Sequence, residues 1–573
     1  MRLKLSILFL IIFSFSELRA QKMSTNDPFI SPLKPPFQFS GNFGEFRPSH
    51  FHSGLDFRTQ GQTGLPVYAV KDGYISRIGI SATGYGNALY MNHSDGTTSV
   101  YGHLQRFHPL LQEYVKEKQY DQESFQININ LPLEKFHFSK GEIIAWSGNS
   151  GSSEGPHLHF EIRDTKSERV LNPLLFNLGI KDNSAPKILA LYVYPLTANS
   201  NIGADCLKKR LQAMPVPGGY RLKNNALPEI FGQIGFGIEA EDYFNGTGLR
   251  CGIYSATLLY DGIKVFGFKM DNFSFGDTRY ANAQTDFEEY IKTHHRVQRL
   301  YKLPGNSLNI YDPAGRNGIL KIDDGKIHEF EIIVSDAFDN RTSLKFKTKS
   351  KKYKLASKNQ SISKQFLYDQ SNVFENEKIK IDLPKNALYD NLDFVWKPAP
   401  KPIGCYSELH QVQSKYVPLH KPYSLSIRCY GLPDSFSDKA LIVLVDQNTG
   451  KKFAVGGEYS GGWLTVKTNL FGSFSVAIDK TPPAIFPLDI KDKKTLVDQS
   501  KVQFKIVDDL SGIKSYRGEI DGKWVLFEFD SKSGILTYYF DKTRMVFGKS
   551  HLIRLVVTDF RVNSTEYKAI IYR

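Results

Sequence analysis

The sequence predicts a mainly β protein of several domains, and three observations carry that expectation. Short β-branched and aromatic runs, drawing on 41 Phe and 30 Tyr, are broken throughout by Gly, Asn and Asp. Stretches such as "NALYMNHSDGTTSVYGHL" alternate apolar and polar residues at the two-residue period of a half-buried strand. At 573 residues the chain exceeds one hydrophobic core, while 41% hydrophobic and 23% charged residues is the balance of a folded chain.

Taken in order, Arg2 and Lys4 precede an apolar run, Leu5 to Phe15, too short to span a bilayer stably, and Leu18-Arg19-Ala20 offers a cleavage site. Residues 1–20 therefore read as a signal peptide, and the protein is expected in the periplasm or cell envelope, or secreted. No cysteine follows the run to take a lipid, and no later stretch is apolar enough for a transmembrane segment after signal removal. Of the four cysteines in an exported chain, Cys206 with Cys251 and Cys405 with Cys429 pair most economically, although spacing leaves the connectivity open. The net charge of +14 favours an anionic polymer as partner; an exported chain meets cell wall rather than nucleic acid.

Residues 21–180 read as one strand-rich domain. "LPVYAVKDGYISRIG" is expected to form a hairpin about Asp72-Gly73, and "NALYMNHSDGTTSVYGHL" a second about Asp95-Gly96. "KGEIIAWSGNSG" reads as a strand leading into a Gly/Ser loop. Between these, apolar residues at helical spacing (Leu110, Leu111, Tyr114, Val115) predict an inserted helix over about 108–125. Downstream, "DNSAP" at Asp182 and "DKTPP" at Asp479 open two copies of an internal repeat, with Asp336/Asn340 and Asp559/Asn563 each four apart after a strand end. The copies, 181–354 (with an insertion around Phe268 to Pro313) and 479–573, are expected to be immunoglobulin-like β-sandwiches, with another strand-rich module at 355–478. These modules are read as positioning or binding elements, a route to envelope partners.

The chemistry concentrates in "RPSHFHSGLDFRT" and "EGPHLHFEIRD". A catalytic zinc needs three His, Asp, Glu or Cys ligands and one open position. On a strand, His157 and His159 share a face, so one can bind a metal while the other reaches the bound water or the substrate. His52 and Asp56 lie about 13 Å apart on a straight strand, at ~3.3 Å per residue, so the chain must bend between them, which Gly54 permits. One His and one Asp here, with one His from the other stretch, complete a site open enough for hydrolysis.

At these residues the chain resembles a known family. "HSGLD", "YGHL" and "GPHLHFEIR" resemble, in order, the motifs of the lysostaphin/LytM-type zinc endopeptidases, peptidase family M23. "SGNSGSSEG" and "LNP" resemble the family's glycine turn and strand exit. The resemblance covers the first third of the chain and implies a LytM-type antiparallel-sheet peptidase domain. It implies one Zn2+ per chain held by His52, Asp56 and His159, with His103 and His157 as catalytic histidines, and peptidoglycan as substrate, stem-peptide cross-links before glycine bridges. Two other roles are weighed: a catalytically silent LytM-like regulator of a separate wall amidase, which all five filled positions disfavour, and an envelope-binding adhesin. His50 is expected at the surface and His93 in a structural hydrogen bond. Glu161 is expected to orient a metal-binding histidine or to pair with Arg163, while Arg47 and Asn87 are candidates to line the groove. "HEFEI" lacks the second histidine of a metalloprotease helix.

Overall fold

The computed structural model describes residues 28–133, 135–246, 248–355 and 362–573; the expected signal peptide lies outside the described residues. The described chain is mainly β, with several β-sheet domains in sequence. No helix among the described residues is long and apolar enough to cross a membrane.

The N-terminal domain is built on an antiparallel sheet in the order Phe39–Gly41, Leu55–Arg58, His157–Asp164, Thr97–Leu104, Asn87–Asn92, Gly73–Ile80, Ile127–Asn130. The central strand, "HLHFEIRD", shows why the sequence folds this way. Leu158, Phe160 and Ile162 are fully buried in the core, so period-two alternation turns His157, His159, Glu161 and Arg163 to the opposite face. Beneath them Phe160 packs against Phe57 and Tyr101, with ring centroids 6.2 and 5.5 Å away. Burying one such ring contributes roughly 1.5–3 kcal/mol.

The Asn87–Asn92 and Thr97–Leu104 strands form a hairpin about Asp95-Gly96. The other expected hairpin does not form. Pro66–Tyr68 pairs with Ile143–Trp146 in a separate three-stranded sheet, and Gly73–Ile80 pairs with Asn87–Asn92 in the main one. Val67, Ala69 and Val70 are all fully buried, so the segment before Asp72-Gly73 is pulled into the core between the sheets instead of folding back. The helix between the strands runs Pro109–Asp121, with Pro in its first turn and Leu111 and Val115 buried in the domain core.

The next domain differs from a two-sheet sandwich. Its strands form one continuous sheet that closes on itself where Glu229–Tyr243 also pairs with Arg341–Ser350. Its insertion supplies Asn272–Phe273, which pairs with Val170–Leu171 and so extends the N-terminal sheet across the domain boundary. Residues 363–478 form two five-stranded sheets, apart from a small two-stranded ribbon, and the last domain a four- and a five-stranded sheet. The repeat appears as matching hairpins, Ile327–Ser335 with Arg341–Ser350 and Ser550–Asp559 with Ser564–Tyr572. The expected disulfides are absent: all four cysteines are free thiols. Cys251 is buried in the N-terminal domain's core, and Cys405 and Cys429 lie in different core clusters, so folding separates the partners that spacing suggested.

Candidate metal centre

Cross-strand register assembles the centre. His159 stands directly opposite Asp56 on one side and Gly102 on the other. His52 arrives from the break between His50–Phe51 and Leu55–Arg58, so the chain does bend between His52 and Asp56. Gly54 serves that bend through space rather than through a special backbone angle: a Cβ there would sit 2.2 Å from the Phe160 carbonyl oxygen.

Three ligand atoms converge. His52 Nε2 lies 2.9 Å from Asp56 Oδ1 and 3.1 Å from His159 Nδ1, which is itself 2.8 Å from Asp56 Oδ1. A tetrahedral zinc with bonds of about 2.0–2.1 Å separates its ligand atoms by ~3.3 Å, so the triangle is the right size. The outer ring nitrogens set the tautomers. His52 Nδ1 lies 2.8 Å from the Asn42 carbonyl, which can only accept, so the proton is on Nδ1 and the Nε2 lone pair faces inward. His159 Nε2 is 2.9 Å from Glu161 Oε1 and donates to it, which aims Nδ1 at the centre.

Electrostatics give the same answer. Burial, only partly opposed by Asp56, pushes His52 down to about 4, so it stays a neutral lone-pair donor. Burial would also lower His159, but its hydrogen bonds to Asp56 and Glu161 outweigh that and push it up to about 9. Burial would raise Asp56, yet the histidines packed against it, His52, His157 and His159, hold it well below the usual carboxylate range. The pocket thus demands a positive charge between its donors, met by a proton on His159 or by a metal cation. The donor set, two imidazoles and a carboxylate, suits zinc.

Two further histidines border this triangle. His157 Nε2 lies 3.5 Å from Asp56 Oδ1, while its Nδ1 lies 2.9 Å from the Gly155 carbonyl. His103 donates from Nδ1 to the Ser150 carbonyl at 2.8 Å, and its ring centroid is 4.7 Å from that of His157. Burial, then the charges of His159 and His157, push His103 down to about 3. His103 reaches the site by a bulge. Register against Asn87–Asn92 slips there, placing Gly102 and His103 opposite a single residue, and His103 takes φ of 58°. The bulge returns Leu104 to the core and swings His103 out to the metal face.

Residues 50–120 match the sequence profile of Peptidase family M23. The N-terminal domain belongs to that family. Across this M23 domain the chain is 30% identical over 165 residues to the DD-carboxypeptidase/endopeptidase Mpg of Neisseria meningitidis, covering 29% of this chain and 30% of that protein. It is 33% identical over 135 residues to an uncharacterised metalloprotease of Haemophilus influenzae, covering 24% and 22%. Lysostaphin of Staphylococcus simulans is 32% identical over 111 residues, covering 19% and 17%. The crystallised lysostaphin catalytic domain is 26% identical, covering 24% of this chain and 90% of that one at a TM-score of 0.18. The chain therefore spans less than a third of the length of these full-length relatives. Residues 363–479 match the Zu5-like domain profile.

Among the neighbours of the M23 site, Tyr85 and Ser53 are not singled out by the motifs, whereas Arg47, Glu161 and Asn87 are. Arg47 pairs with Asp56 Oδ2, and Tyr85 donates to Glu161 Oε1 with its ring centroid 5.3 Å from that of His159. Ser53 also donates to Glu161. Glu161, fully buried, both accepts from His159 and pairs with Arg163, so the two expected alternatives coexist. Asn87 donates to the Leu104 carbonyl and braces the bulge. His93 is held by Asp72 O and Ser99, and His50 is exposed; neither joins the centre.

Proposed function

We propose that the protein is an exported zinc endopeptidase that hydrolyses peptide bonds of peptidoglycan, stem-peptide cross-links foremost. The observation that carries this reading is the convergence, in an M23 domain, of two inward imidazole nitrogens and one carboxylate oxygen beside two more histidines. Mpg, named a DD-carboxypeptidase/endopeptidase, favours stem-peptide cross-links, whereas the glycyl-glycine endopeptidase ALE-1 of Staphylococcus capitis keeps glycine bridges as the second substrate. The positive net charge adds attraction to an anionic wall.

A zinc ion held by His52 Nε2, Asp56 Oδ1 and His159 Nδ1 would polarise the scissile carbonyl and lower the pKa of an attacking water toward ~7. The chain's own work is proton handling. His103 and His157 each commit Nδ1–H to a backbone carbonyl, so each offers Nε2 as a bare acceptor. Because His103 stays neutral at pH 7, its first act is to accept a proton from water. Once protonated, the same Nε2–H can stabilise a developing oxyanion or protonate the leaving amine. Arg47 and Glu161 hold Asp56 and His159 in place throughout.

The test is incubation of the mature protein with intact sacculi and zinc, beside His159→Ala and a chelated control, with fragments read by mass. Cross-link cleavage by the wild type alone is expected. An inert wild type rejects the enzyme reading, and cleavage surviving His159→Ala rejects the ligand assignment. His103→Ala should keep its zinc and lose ~10²–10⁴-fold in kcat.

A further inference from the structure

Two clusters of buried carboxylates lie outside the M23 site. Asp182, Asp242 and Asp336 place one ligand oxygen each within 4.8 Å of one another, and so do Asp479, Asp508 and Asp559. In the first cluster the residues are only 5%, 2% and 3% exposed. Asp182 Oδ1 accepts from Ser184 and Asn245 amides, and both oxygens of Asp336 are engaged, leaving Asp182 Oδ2 and Asp242 Oδ1 buried with no hydrogen-bond partner among the described residues. Besides burial and the Tyr243 backbone amide, the groups acting on the Asp242 carboxyl are Asp336 and Asp182, further carboxylates rather than a cation. A buried carboxylate without a counter-charge is costly, and three together are more so.

The second cluster repeats the first. Asn340 donates from Nδ2 to Asp336 Oδ2 and to Asp182 O; Asn563 donates likewise to Asp559 Oδ2 and Asp479 O. Asp508, only partly buried, leaves Oδ1 unpartnered as Asp242 does. Each cluster also sits at a domain joint. Beside Asp242, Phe244 packs on Phe39 of the M23 core at 4.7 Å, and Phe338, two residues after Asp336, packs on Phe244. Beside Asp559, Arg561 donates to the carbonyls of Ala440 and Gly457 in the Zu5-like module, and Asp479 N donates to Lys439 O.

We propose that Asp182, Asp242 and Asp336 bind a calcium ion and that Asp479, Asp508 and Asp559 bind a second, each ion clamping a repeat domain to the domain before it. All-oxygen, carboxylate-rich donors select a hard cation, and the absence of His or Cys from either set argues against zinc. Ligands drawn from strand ends (Asp242, Asp559) and the loops beside them (Asp182, Asp336, Asp479, Asp508) suit calcium's tolerant geometry better than magnesium, which demands a near-ideal octahedron.

The experiment titrates the zinc-loaded, calcium-stripped full-length mature chain with CaCl2 by calorimetry and follows its melting temperature. Two equivalents are expected, falling to one in Asp242→Asn and one in Asp508→Asn, with calcium raising the wild-type melting temperature by several degrees. In calcium-free buffer each variant should melt at or above the wild type, because one unneutralised carboxylate has gone; in calcium it should melt below. No binding by the wild type at millimolar calcium, binding of magnesium in preference, or two equivalents persisting in both variants would overturn the proposal.

Discussion

At the residue scale the centre is governed by His159. In the metal-free protein its pKa near 9 means that it carries a proton at pH 7. Zinc must displace that proton, whereas His52, near 4, has none to lose. Zinc binding at pH 7 should therefore release about one proton, and apparent affinity should rise roughly tenfold per pH unit up to about pH 9, then level. Calorimetry in buffers of different ionisation enthalpy reads the proton count; no release at pH 7 would refute the assignment. Glu161 is the positioning partner. Glu161→Gln weakens the acceptor for His159 Nε2–H and leaves the buried Arg163 without its carboxylate. Zinc affinity should fall ~10–100-fold, as competition with a chelating dye would report. Tyr85→Phe, which keeps both charges, should cost less.

At the element scale the site depends on how closely two strands approach at Gly54. A Cβ 2.2 Å from the Phe160 carbonyl has only backbone to push against. Gly54→Ala should separate Leu55–Arg58 from His157–Asp164, break the pairing of Asp56 with His159, and cost ~1–3 kcal/mol or more by overpacking. Denaturant midpoints and zinc content should drop together; unchanged zinc content would show that the strands tolerate the shift. The same elements show what a sequence discloses. Strand alternation in "HLHFEIRD" makes it plain that His157 and His159 share a face, because Leu158, Phe160 and Ile162 have nowhere to go but the core. The spacing of "HSGLD" demands a bend, and the structure has one. Hidden from any such pattern are the features set by long-range packing. The bulge that turns out His103 depends on register against Asn87–Asn92. The failed hairpin at Asp72-Gly73 reflects a competing strand, Ile143–Trp146, some seventy residues away. Arg47 sits in a quoted motif, yet its role becomes visible only when Asp56 Oδ2 lies beside it.

At the scale of the whole molecule, the chain folds back on its own M23 domain. Asn42 exchanges two hydrogen bonds with Gly252 of the following domain, and its carbonyl fixes the tautomer of His52. Cutting the chain near Ile180 would therefore remove a buttress of the centre along with any cover over it. The last domain makes a different contact. Ser531 donates to the Ala82 carbonyl, Lys532 to the Asn149 carbonyl, and Trp524 meets Tyr120 of the helix edge-on at 5.2 Å. Asn149 adjoins Ser150, whose carbonyl holds His103, so this domain rests beside the metal centre. Two ion pairs support the contact: Arg517–Glu123, which is half-exposed and contributes little, and Lys116–Asp541, whose carboxylate is mostly buried. Removing residues 479–573 should leave zinc content and turnover of short soluble muropeptides within about twofold, since no ligand or its partner is lost. Release of fragments from intact sacculi should rise several-fold, because a bulky polymer must pass the docked domain that a short peptide clears. Equal rates on sacculi before and after truncation would mean that the docked domain leaves the groove open. A parallel fall on both substrates would mean instead that its grip on Asn149 helps to position His103, and Lys532→Ala in the full chain should then reproduce that fall.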